Sequence, residues 1–586
     1  MIASELEGSW RRVATLSDVR ADRPTGVVVD GVELVLVHDA GEVRAFDARC
    51  PHQGLLLSEG ELKDGSLVCR GHGYRFDVKT GRCREEGKDL CLHPYPLKTE
   101  GAAVLVQLHA KRAPGPLFDL SRARRKLSDL PGPTAVPFFG NALSLDVERM
   151  HLQLEAWAKQ YGSPFRITLI GRPIIVIADA ELADQILRAR PAGLRRTGSL
   201  EQIFKEMGTA GVFSAEGDAW RPQRKLALGA LGNRHLKSFF PTLRRVALSL
   251  HRRWAEHARA GAEVDIDDDL MRFTVDVTTN LVFSTDLRTI ESGESELHGH
   301  LARVFPAFAR RLMSAVPYWR FVRLPRDRAL DRSLSEVRKV QERLVAETRA
   351  RLEERGDGEP RDFIEAMLLA RDDDGQPFSD DVVYGNMMTM LLAGEDTTAH
   401  TLAWAVHYLC DHPEVVARMR VEVDAAFGDE LTAPSFDGAQ HLPYVEAVAN
   451  ETMRHRPVAP FLGLEANEEL VIGDVLVPKG AWVNIVTRLP ALDDKNFSEP
   501  LAFRPERWLE PSSAQAHVPG ASMPFGSGPR ICPGRTLALL EMRMVLATLV
   551  KSFDVQRVGS ADAVRERFAF TMSPQGLRVR LTPRAA

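Results

Sequence analysis

The sequence predicts a multidomain protein in which a small all-β domain precedes a larger, mainly α-helical (α+β) domain. Its 586 residues are too many for one hydrophobic core, so at least two domains are expected. Residues 1–107 contain short strand-like runs such as GVVVDGVELVLVHD and EVRAFD, separated by Gly and Asp turns. From about residue 145 the pattern changes to long amphipathic runs with the period of an α-helix.

The segment between these two regions has the composition of a linker. Residues 108–130 are rich in Lys and Arg, and Pro114 and Pro116 interrupt them. We therefore predict a first domain at 1–107, a basic linker at 108–130 and a second domain at 131–586. Within the second domain, FRITLIGRPIIVI and LVIGDVLVPKGAWV predict short strands among the helices.

The bulk composition excludes several classes of protein. A net charge of −4 gives no electrostatic reason to expect a nucleic acid partner. No run approaches 18 apolar residues, and the first residues, MIASELEGSWRR, carry acids where a signal peptide needs an apolar stretch. We therefore expect no membrane span and a cytoplasmic location. The six cysteines are too unevenly spaced for a disulfide framework, and they suit metal binding or catalysis.

A first candidate metal site lies in the N-terminal region. Cys50 and His52 form a C-x-H turn, and Cys69 and His72 form a C-x2-H turn after sixteen intervening residues. Two Cys and two His could hold a tetrahedral zinc ion. Each turn offers one sulfur and one nitrogen ligand, however. A Rieske 2Fe–2S cluster needs that order, because two His bind one iron and two Cys bind the other.

These turns, with the following GHGYRFD, resemble the Rieske ferredoxin family over about residues 1–107. The resemblance implies a Rieske-type 2Fe–2S cluster that carries single electrons. Zinc, or no metal at all, is the alternative. The implied cluster ligands are Cys50, His52, Cys69 and His72.

A second candidate metal site is the segment FGSGPRICPG at residues 525–534. Its glycines allow the loop to fold tightly beneath a flat cofactor, Cys532 offers an anionic sulfur, and Arg530 can pair with a carboxylate. The segment matches F-G-x-G-x-R-x-C-x-G in every fixed position, beginning at Phe525. A surface glycine loop around a buried cysteine is the alternative.

Further motifs make residues 130–586 resemble the cytochrome P-450 family. Glu451 and Arg454 form an E-x-x-R pair on one helix face, and Arg507 of FRPERW is the partner that the family pattern expects. W-x3-R places two side chains one helical turn apart. The resemblance implies a haem b held by the Cys532 thiolate and contacted by Trp220, Arg224, Phe525 and Arg530.

The long apolar helix predicted around residues 382–409 contains an unusual stretch, AGEDTT. Acids and threonines are poor choices in the middle of a buried helix, and a glycine there costs about 1 kcal/mol relative to alanine. In the family pattern Gly394 opens the helix, and Asp396 and Thr397 deliver protons. The alternative is a threonine bonded to the carbonyl one turn back, beside a solvated acid. The sequence also departs from the family at Leu464, where many members carry a basic residue that holds a haem propionate.

Together the two resemblances imply a haem-thiolate monooxygenase that receives electrons through its own Rieske cluster. One oxygen atom of O2 would enter a lipophilic small-molecule substrate. Residues 193–213 and 302–322, rich in Phe and aliphatic side chains, would line the pocket or belong to the core. No G-x-G-x-x-G follows a strand, so a separate NAD(P)H-dependent ferredoxin reductase is expected.

Three alternative functions have different requirements. A Rieske non-haem oxygenase needs a mononuclear iron site, and no D-x2-H-x4-H pattern is present. A peroxide-driven haem enzyme would have no use for Asp396, Thr397 or a fused ferredoxin. A non-catalytic haem and iron–sulfur sensor of redox state or gas is the third. A sealed or charged pocket would favour the sensor, and an apolar pocket would favour the enzyme.

Overall fold

A computed structural model describes the side chains and backbone of most of the chain. The described residues are 10–584 except 22, 30–31, 40, 49, 51–55, 70–72, 85–90, 93, 108–116, 293–295, 313, 315, 357–359, 361, 373–374, 510–517 and 519.

The described part of the N-terminal region is built from short strands. They are β1 Trp10–Thr15, β2 Thr25–Val29, β3 Val32–Asp39, β4 Glu42–Asp47, β5 Glu61–Lys63, β6 Ser66–Val68, β7 Arg75–Asp77, β8 Pro94–Tyr95, β9 Leu97–Glu100 and β10 Ala103–Gln107.

These strands form antiparallel sheets in the orders β2-β3-β4-β8, β1-β10-β9 and β5-β6-β7. Successive side chains of a strand point to opposite faces, and β3 uses both faces. Val35 and Val37 join one buried cluster, whereas Leu34 and Leu36 join another. A strand buried on both sides reads as a continuous apolar run, here LVLV at residues 34–37. The prediction of a small all-β unit is confirmed.

The second region is mainly helical. Its helices are α1 Met150–Tyr161, α2 Ala180–Arg188, α3 Gly198–Glu206, α4 Trp220–Ala230, α5 Asn233–Ala260, α6 Ile266–Phe283, α7 Thr289–Ser292, α8 Glu296–Leu312, α9 Pro325–Arg355, α10 Phe363–Leu369, α11 Asp380–Gly394, α12 Asp396–Leu409, α13 Pro413–Phe427, α14 Phe436–Gln440, α15 Pro443–His455, α16 Arg488–Ala491 and α17 Arg535–Ser552.

Short strands lie at the edges of this helical body. They are β11 Arg125–Lys126, β12 Phe165–Leu169, β13 Arg172–Ile177, β14 Leu194–Arg196, β15 Glu263–Asp265, β16 Phe461–Ala466, β17 Leu470–Ile472, β18 Val475–Val477, β19 Trp482–Val486, β20 Phe553–Arg557, β21 Arg565–Phe568, β22 Met572–Gln575 and β23 Arg578–Pro583. The largest sheet has the order β12-β13-β19-β16-β14, and the two predicted strand segments lie in β12, β13 and β17 to β19.

The predicted linker differs from the structure in its second half. Residues 117–130 pack on the helical body, because Leu117, Leu127 and Leu130 are buried there and β11 pairs with β18. Arg125 donates two hydrogen bonds to the carboxylate of Asp474, at 2.9 and 2.6 Å. The basic composition of the segment suggested a solvated linker, but the burial of these leucines fixes it on the helical body. Residues 108–116 of the predicted linker lie outside the described residues.

The centre of the helical body is the pair α11 and α12, which Glu395 alone separates. Glu395 has φ −79° and ψ −77°, so the helical ladder is interrupted there. Leu402, Ala403 and Val406 of α12 join a buried cluster together with residues of α5, α6, α13, α15 and α17. None of the described helices combines the length and apolarity needed to cross a lipid bilayer.

A buried ion network ties α15 to the segment that follows α16. Arg454 donates hydrogen bonds of 2.9 and 2.7 Å to the carboxylate of Glu451, and Arg507 donates one of 3.1 Å. Trp508 Nε1 and the backbone N–H of Arg504 also donate to this carboxylate. Burial alone would raise the pKa of Glu451, but the hydrogen bonds from Arg454 and His455 hold that pKa well below its usual value.

Replacing Glu451 by Gln should therefore lower the melting temperature at neutral pH. A carboxyl group with a depressed pKa contributes stability above its unfolded pKa, and that stability is lost only when the pH falls through the folded value. Removing one partner of a buried ion pair costs about 3–5 kcal/mol, because the arginines lose their counter-charge. Thermal unfolding at pH 7 measures the effect. The control is Glu336→Gln, whose carboxylate pairs with Lys339 at an exposed position. Equal shifts for both variants would contradict the assignment.

Candidate functional site

The loop before α17 is held close to α2. The backbone N–H of Cys532 donates to the carbonyl of Phe525 at 2.9 Å, which closes the loop on itself. Gly526 and Gly528 have φ values of 75° and 69°, a region that glycine adopts without strain. A Cβ at Gly528 would lie 2.6 Å from the carbonyl oxygen of Leu187, so only glycine fits there.

The thiol of Cys532 faces an internal space. Its side chain is exposed, yet burial by the surrounding protein raises the pKa of the thiol. Hydrogen bonds from the backbone of Gly534 and the charges of Arg224 and Arg535 act in the opposite direction and favour the thiolate.

Beside this thiol lies a group of buried and half-buried arginines around the carboxylate of Glu216. Arg530 donates to Glu216 Oε2 at 2.5 Å, and Arg190 Nη2 lies 3.9 Å from Glu216 Oε1. The guanidinium of Arg530 also lies over the ring of Trp220, 4.3 Å from its centroid. The group, called here the arginine cradle, consists of Arg190, Arg195, Arg196, Arg224 and Arg530.

The arginine cradle holds more positive charge than Glu216 can neutralise. Burial lowers the pKa values of Arg190 and Arg530 to about 10, and the pKa of Arg196 falls well below its usual value for the same reason. Within the described residues, Nε of Arg190, Arg195 and Arg530 has no hydrogen-bond partner. Buried donors without partners are costly, so the cradle fits an anion such as the two propionates of haem.

The arginine cradle bears on the basic residue that the family pattern expects where this chain has Leu464. Leu464 is buried and pairs in register with Arg196 across β16 and β14. The neighbouring strand therefore carries an arginine in register with the position where the family pattern places a charge. Sequence analysis missed Arg190, Arg196 and Glu216, although the two consecutive arginines of GLRRTG were a signal.

Arg224 and Trp220 occupy the buried face of α4, as the W-x3-R spacing predicts. Both side chains are less than 10% exposed, with Trp220 at 6% and Arg224 at 8%. The aromatic ring of Phe525 lies 5.7 Å from the guanidinium of Arg535, measured to the ring centroid. The structure thus brings Trp220, Arg224 and Arg530 together beside the Cys532 loop.

A cavity adjoins the end of α11. It is lined by Phe204, Phe213, Phe308, Thr389, Leu392, Ala393 and Phe570. The rings of Phe204 and Phe308 meet edge to face with centroids 4.5 Å apart, and Phe308 meets Phe570 in the same way at 5.1 Å. Three of these rings come from the two Phe-rich segments that the sequence indicated, whereas Phe570 lies far from both in sequence.

Asp396 and Thr397 begin α12 immediately beyond this cavity. The Thr397 hydroxyl donates to the carbonyl of Ala393 at 2.9 Å, which is the backbone contact of the structural alternative. The second part of that alternative, a solvated acid, is wrong. Burial raises the pKa of Asp396, and Thr571 Oγ1 lies 3.5 Å from its Oδ2. Burial also raises the pKa of the neighbouring Glu395 to about 8.

The structure describes half of the first candidate metal site. Cys50 and Cys69 are 2% and 1% exposed and belong to one buried cluster with Phe46 and Phe76. Each of the chain's six cysteines is a thiol rather than half of a disulfide. His52 and His72 lie outside the described residues. Two thiols on neighbouring buried loops fit the sulfur half of the donor set that a Rieske cluster requires.

Comparison with known proteins gives the family. Residues 130–581 match the family model described as Cytochrome P450, and residues 9–96 match that of the Rieske [2Fe-2S] domain. The chain belongs to the cytochrome P450 family. Its cofactors are therefore haem and, in the N-terminal Rieske domain, a 2Fe–2S cluster, and the chain is a cytochrome P450 monooxygenase.

Three similar proteins illustrate the match. Cytochrome P450 27C1 of Danio rerio is 27% identical over 487 residues, which cover 77% of this chain and 86% of that protein. Self-sufficient cytochrome P450 monooxygenase CYP505E4 of Penicillium expansum is 27% identical over 470 residues, and this chain spans only 44% of its length. The crystal structure of the cytochrome P450DA heme domain superposes with a TM-score of 0.70 at 24% identity, over 78% of this chain and 98% of that one. The likeness to that structure shows the fold.

The assignment of Cys532 as haem ligand predicts a specific spectral change. The reduced carbon monoxide complex of the wild-type protein should absorb at the red-shifted wavelength typical of thiolate-bound haem. Cys532→Ser should lose that band, because an alcohol is a far weaker anionic donor than a thiol. Cys410→Ser is the matched control, since Cys410 lies at the end of α12 and burial raises its pKa to about 11. A control that also loses the band would contradict the assignment.

Proposed function

We propose that the protein inserts one oxygen atom of O2 into a lipophilic small molecule, using electrons that pass through its own Rieske cluster to the haem. A separate NAD(P)H-dependent ferredoxin reductase supplies those electrons. The observation that carries the proposal is the pairing, in one chain, of the Cys532 loop and arginine cradle with an aromatic cavity that ends at Asp396 and Thr397.

The haem, when bound, supplies the reductive activation of dioxygen, and the cluster supplies single electrons. The residues of the chain do the rest. Cys532 would hold the haem by its sulfur, and Arg224 and Arg530 would neutralise the propionates with charge-assisted hydrogen bonds. Trp220 fixes the plane of the Arg530 guanidinium by lying against it at 4.3 Å.

The cavity supports a lipophilic substrate. Four phenylalanine rings and one leucine line it, and Thr389 is its polar side chain. Apolar surface recognises apolar surface without directional contacts, at roughly 25 cal/mol per Å² removed from water. A sensor would need a sealed or charged pocket, so the aromatic lining favours the enzyme.

Asp396 and Thr397 are placed to handle protons at this cavity. Burial raises the pKa of Asp396, which makes its carboxyl group easier to protonate, as a general acid requires. Thr397 lies in the same helical turn as Asp396. Its hydroxyl donates to the carbonyl of Ala393, a residue that lines the cavity. The acid supplies protons and the alcohol positions them.

The position of the connecting segment supports electron transfer within one chain. Gln107 ends β10, and Leu117 is fixed on the helical body by its carbonyl, which accepts from Val471 N at 2.7 Å. A chain of ten residue steps spans at most about 36 Å. The ring of Phe118 packs at Gly193, whose Cβ would lie 2.8 Å from it. The connecting segment is thus fixed at Gly193, which lies three residues in sequence from both Arg190 and Arg196 of the arginine cradle.

The same anchor lies beside the Cys532 loop. Asp184 of α2 accepts a hydrogen bond of 2.6 Å from Ser527 in that loop, and α2 leads directly into the segment that Phe118 contacts. A domain held on so short a tether has an effective concentration of about millimolar. The outer face of α4 carries exposed Arg221 and Lys225, which can attract a partner of opposite charge.

Removing the cluster should stop turnover without affecting substrate binding. His72→Ala deletes one expected iron ligand, so electrons from NADH and a ferredoxin reductase should no longer reach the haem. Product formation should fall by roughly two orders of magnitude, while the haem spectral shift on substrate binding is retained. Excess external ferredoxin should restore part of the rate.

The matched control is Cys91→Ser, because Cys91 is an exposed cysteine in the same domain outside the ligand spacing. It should keep both the cluster spectrum and the turnover rate. A His72→Ala protein that turns over at the wild-type rate without added ferredoxin would show that the Rieske cluster has another role.

Thr397→Ala should separate proton positioning from binding. Haem and substrate should bind normally, since the hydroxyl contacts only the carbonyl of Ala393 in the described structure. A larger share of the electrons consumed should end in hydrogen peroxide, because the proton is no longer held in place. The ratio of product to NADH consumed measures this share. Thr397→Ser should restore the ratio, and an unchanged ratio in Thr397→Ala would assign the residue a purely structural role.

A further inference from the structure

Asp396 does not stand alone on α12. His400 lies four residues later, hence one helical turn along the same face. Its Nδ1 lies 2.8 Å from Oδ1 of Asp267, in the first turn of α6. The proton on this hydrogen bond belongs to His400, because a carboxylate accepts. The three side chains called here the acid–histidine array are Asp396, His400 and Asp267.

The acid–histidine array runs from the cavity to the protein surface. At its inner end, Asp396 is in contact with Thr571, and the preceding Phe570 lines the aromatic cavity. At its outer end, the side chain of Asp267 is 23% exposed, and its neighbours Asp265 and Asp268 are exposed. His400, with 12% of its side chain exposed, lies between the two carboxyl groups.

The charges within the array suit proton transfer. Burial alone would lower the pKa of His400, but the carboxylates of Asp267 and Asp396 together raise it above its usual value. Burial raises the pKa of Asp396, and the charge of Asp267 raises it further, while His400 lowers it. Both shifts favour the protonated forms of the two side chains, so Asp396 and His400 can each carry a proton in turn.

We propose that Asp267 and His400 are the solvent-side half of the route by which protons reach Asp396. The proposal rests on the function proposed above for Asp396. The imidazolium of His400 releases one ring proton to the Asp396 carboxylate and keeps the other ring proton in its hydrogen bond to Asp267. Rotation of the neutral ring then turns its bare nitrogen to the Asp267 end, where a proton from solvent restores the imidazolium. Each cycle moves one proton inward and returns His400 to its starting protonation state, and no electron moves.

A second buried acid offers a competing route. Glu541 of α17 lies close to Thr398, burial raises its pKa to about 8, and its Oε1 has no hydrogen-bond partner within the described residues. The contacts of Glu541 within the described residues include no exposed carboxyl group that could take up protons from solvent. The route through His400 has an outer end at the surface, which favours it over the route through Glu541.

Four variants test the proposal in the full chain reconstituted with haem and cluster. His400→Gln keeps the size and polarity of the side chain but cannot carry a second proton, and Asp267→Asn keeps the contact but removes the charge. Both should lower turnover about tenfold to a hundredfold and raise the solvent deuterium isotope effect, because a general acid contributes on that order or more. The controls are His407→Gln, a buried histidine of the same helix that contacts Arg557, and Glu541→Gln.

A second measurement does not depend on activity. A histidine whose pKa is raised by folding contributes stability that is complete below its unfolded pKa, about 6.5, and is lost as the pH rises through the folded value. The melting temperature of the wild type should exceed that of His400→Gln more at about pH 6 than at about pH 9. Asp267→Asn should remove most of this pH dependence. His407→Gln should not reproduce it, because burial holds the pKa of His407 at about 4.

The outcomes separate the route from the proposed function. Slow turnover in Asp396→Asn together with normal turnover in His400→Gln would overturn the route and leave the role of Asp396 intact. Slow turnover in Glu541→Gln but not in His400→Gln would assign the route to α17. Normal turnover in both Asp396→Asn and Thr397→Ala would overturn the proposed function itself. A His400→Gln protein with slow turnover, an increased isotope effect and a pH-dependent loss of stability would support the route.

Discussion

The reactive side of the haem domain depends on one close approach between two helices, that of Gly394 on α11 to Thr278 on α6. A Cβ at position 394 would lie 2.6 Å from the methyl group of Thr278, so no other residue allows these helices to pack so closely. The long helix is interrupted at the next residue. The helix begins again at Asp396 as α12, and the direction of α12 brings His400 into contact with Asp267 on α6. The close approach at Gly394 therefore lies two residues before Asp396, at the point where the cavity meets the break in the helix.

Charge is distributed unequally around this centre. Buried arginines surround the Cys532 loop, whereas buried acids, Glu395 and Asp396, lie at the break in the long helix. Burial shifts both groups toward neutrality, lowering the pKa of Arg530 and raising the pKa of Glu395. The arginines suit a dianionic cofactor, and acids with raised pKa values suit proton transfer. The two sets of residues divide the chemistry between anion binding and proton delivery.

The sequence predicted the features that local motifs encode and missed those that depend on distant segments. W-x3-R and the Cys532 loop are short-range patterns, and the structure places Trp220, Arg224 and Arg530 together. Arg190 and Glu216 reach the same place from separate segments, and no spacing rule connects them to Cys532. Asp267 lies 133 residues from His400, so their hydrogen bond could not be inferred from either position. The predicted linker extended too far toward the helical region. Its lysines and arginines suggested a solvated segment, but three of its leucines are buried and pack residues 117–130 on the helical body.

The fixed segment at 117–130 changes how electron transfer within the chain is to be understood. A linker of 23 residues would let the Rieske domain visit most of the surface of the haem domain, and its local concentration would be correspondingly diluted. Fixing Leu117 leaves nine residues between it and β10, anchored beside the segment that carries Arg190 and Arg196. That anchor lies next to α2, which contacts the Cys532 loop through Asp184 and Ser527. In the proposed electron route, this short tether would keep the Rieske domain near the Cys532 loop, while the proposed proton route would open to solvent from α6. Electrons and protons would then enter by separate routes, and neither route would require the other to open.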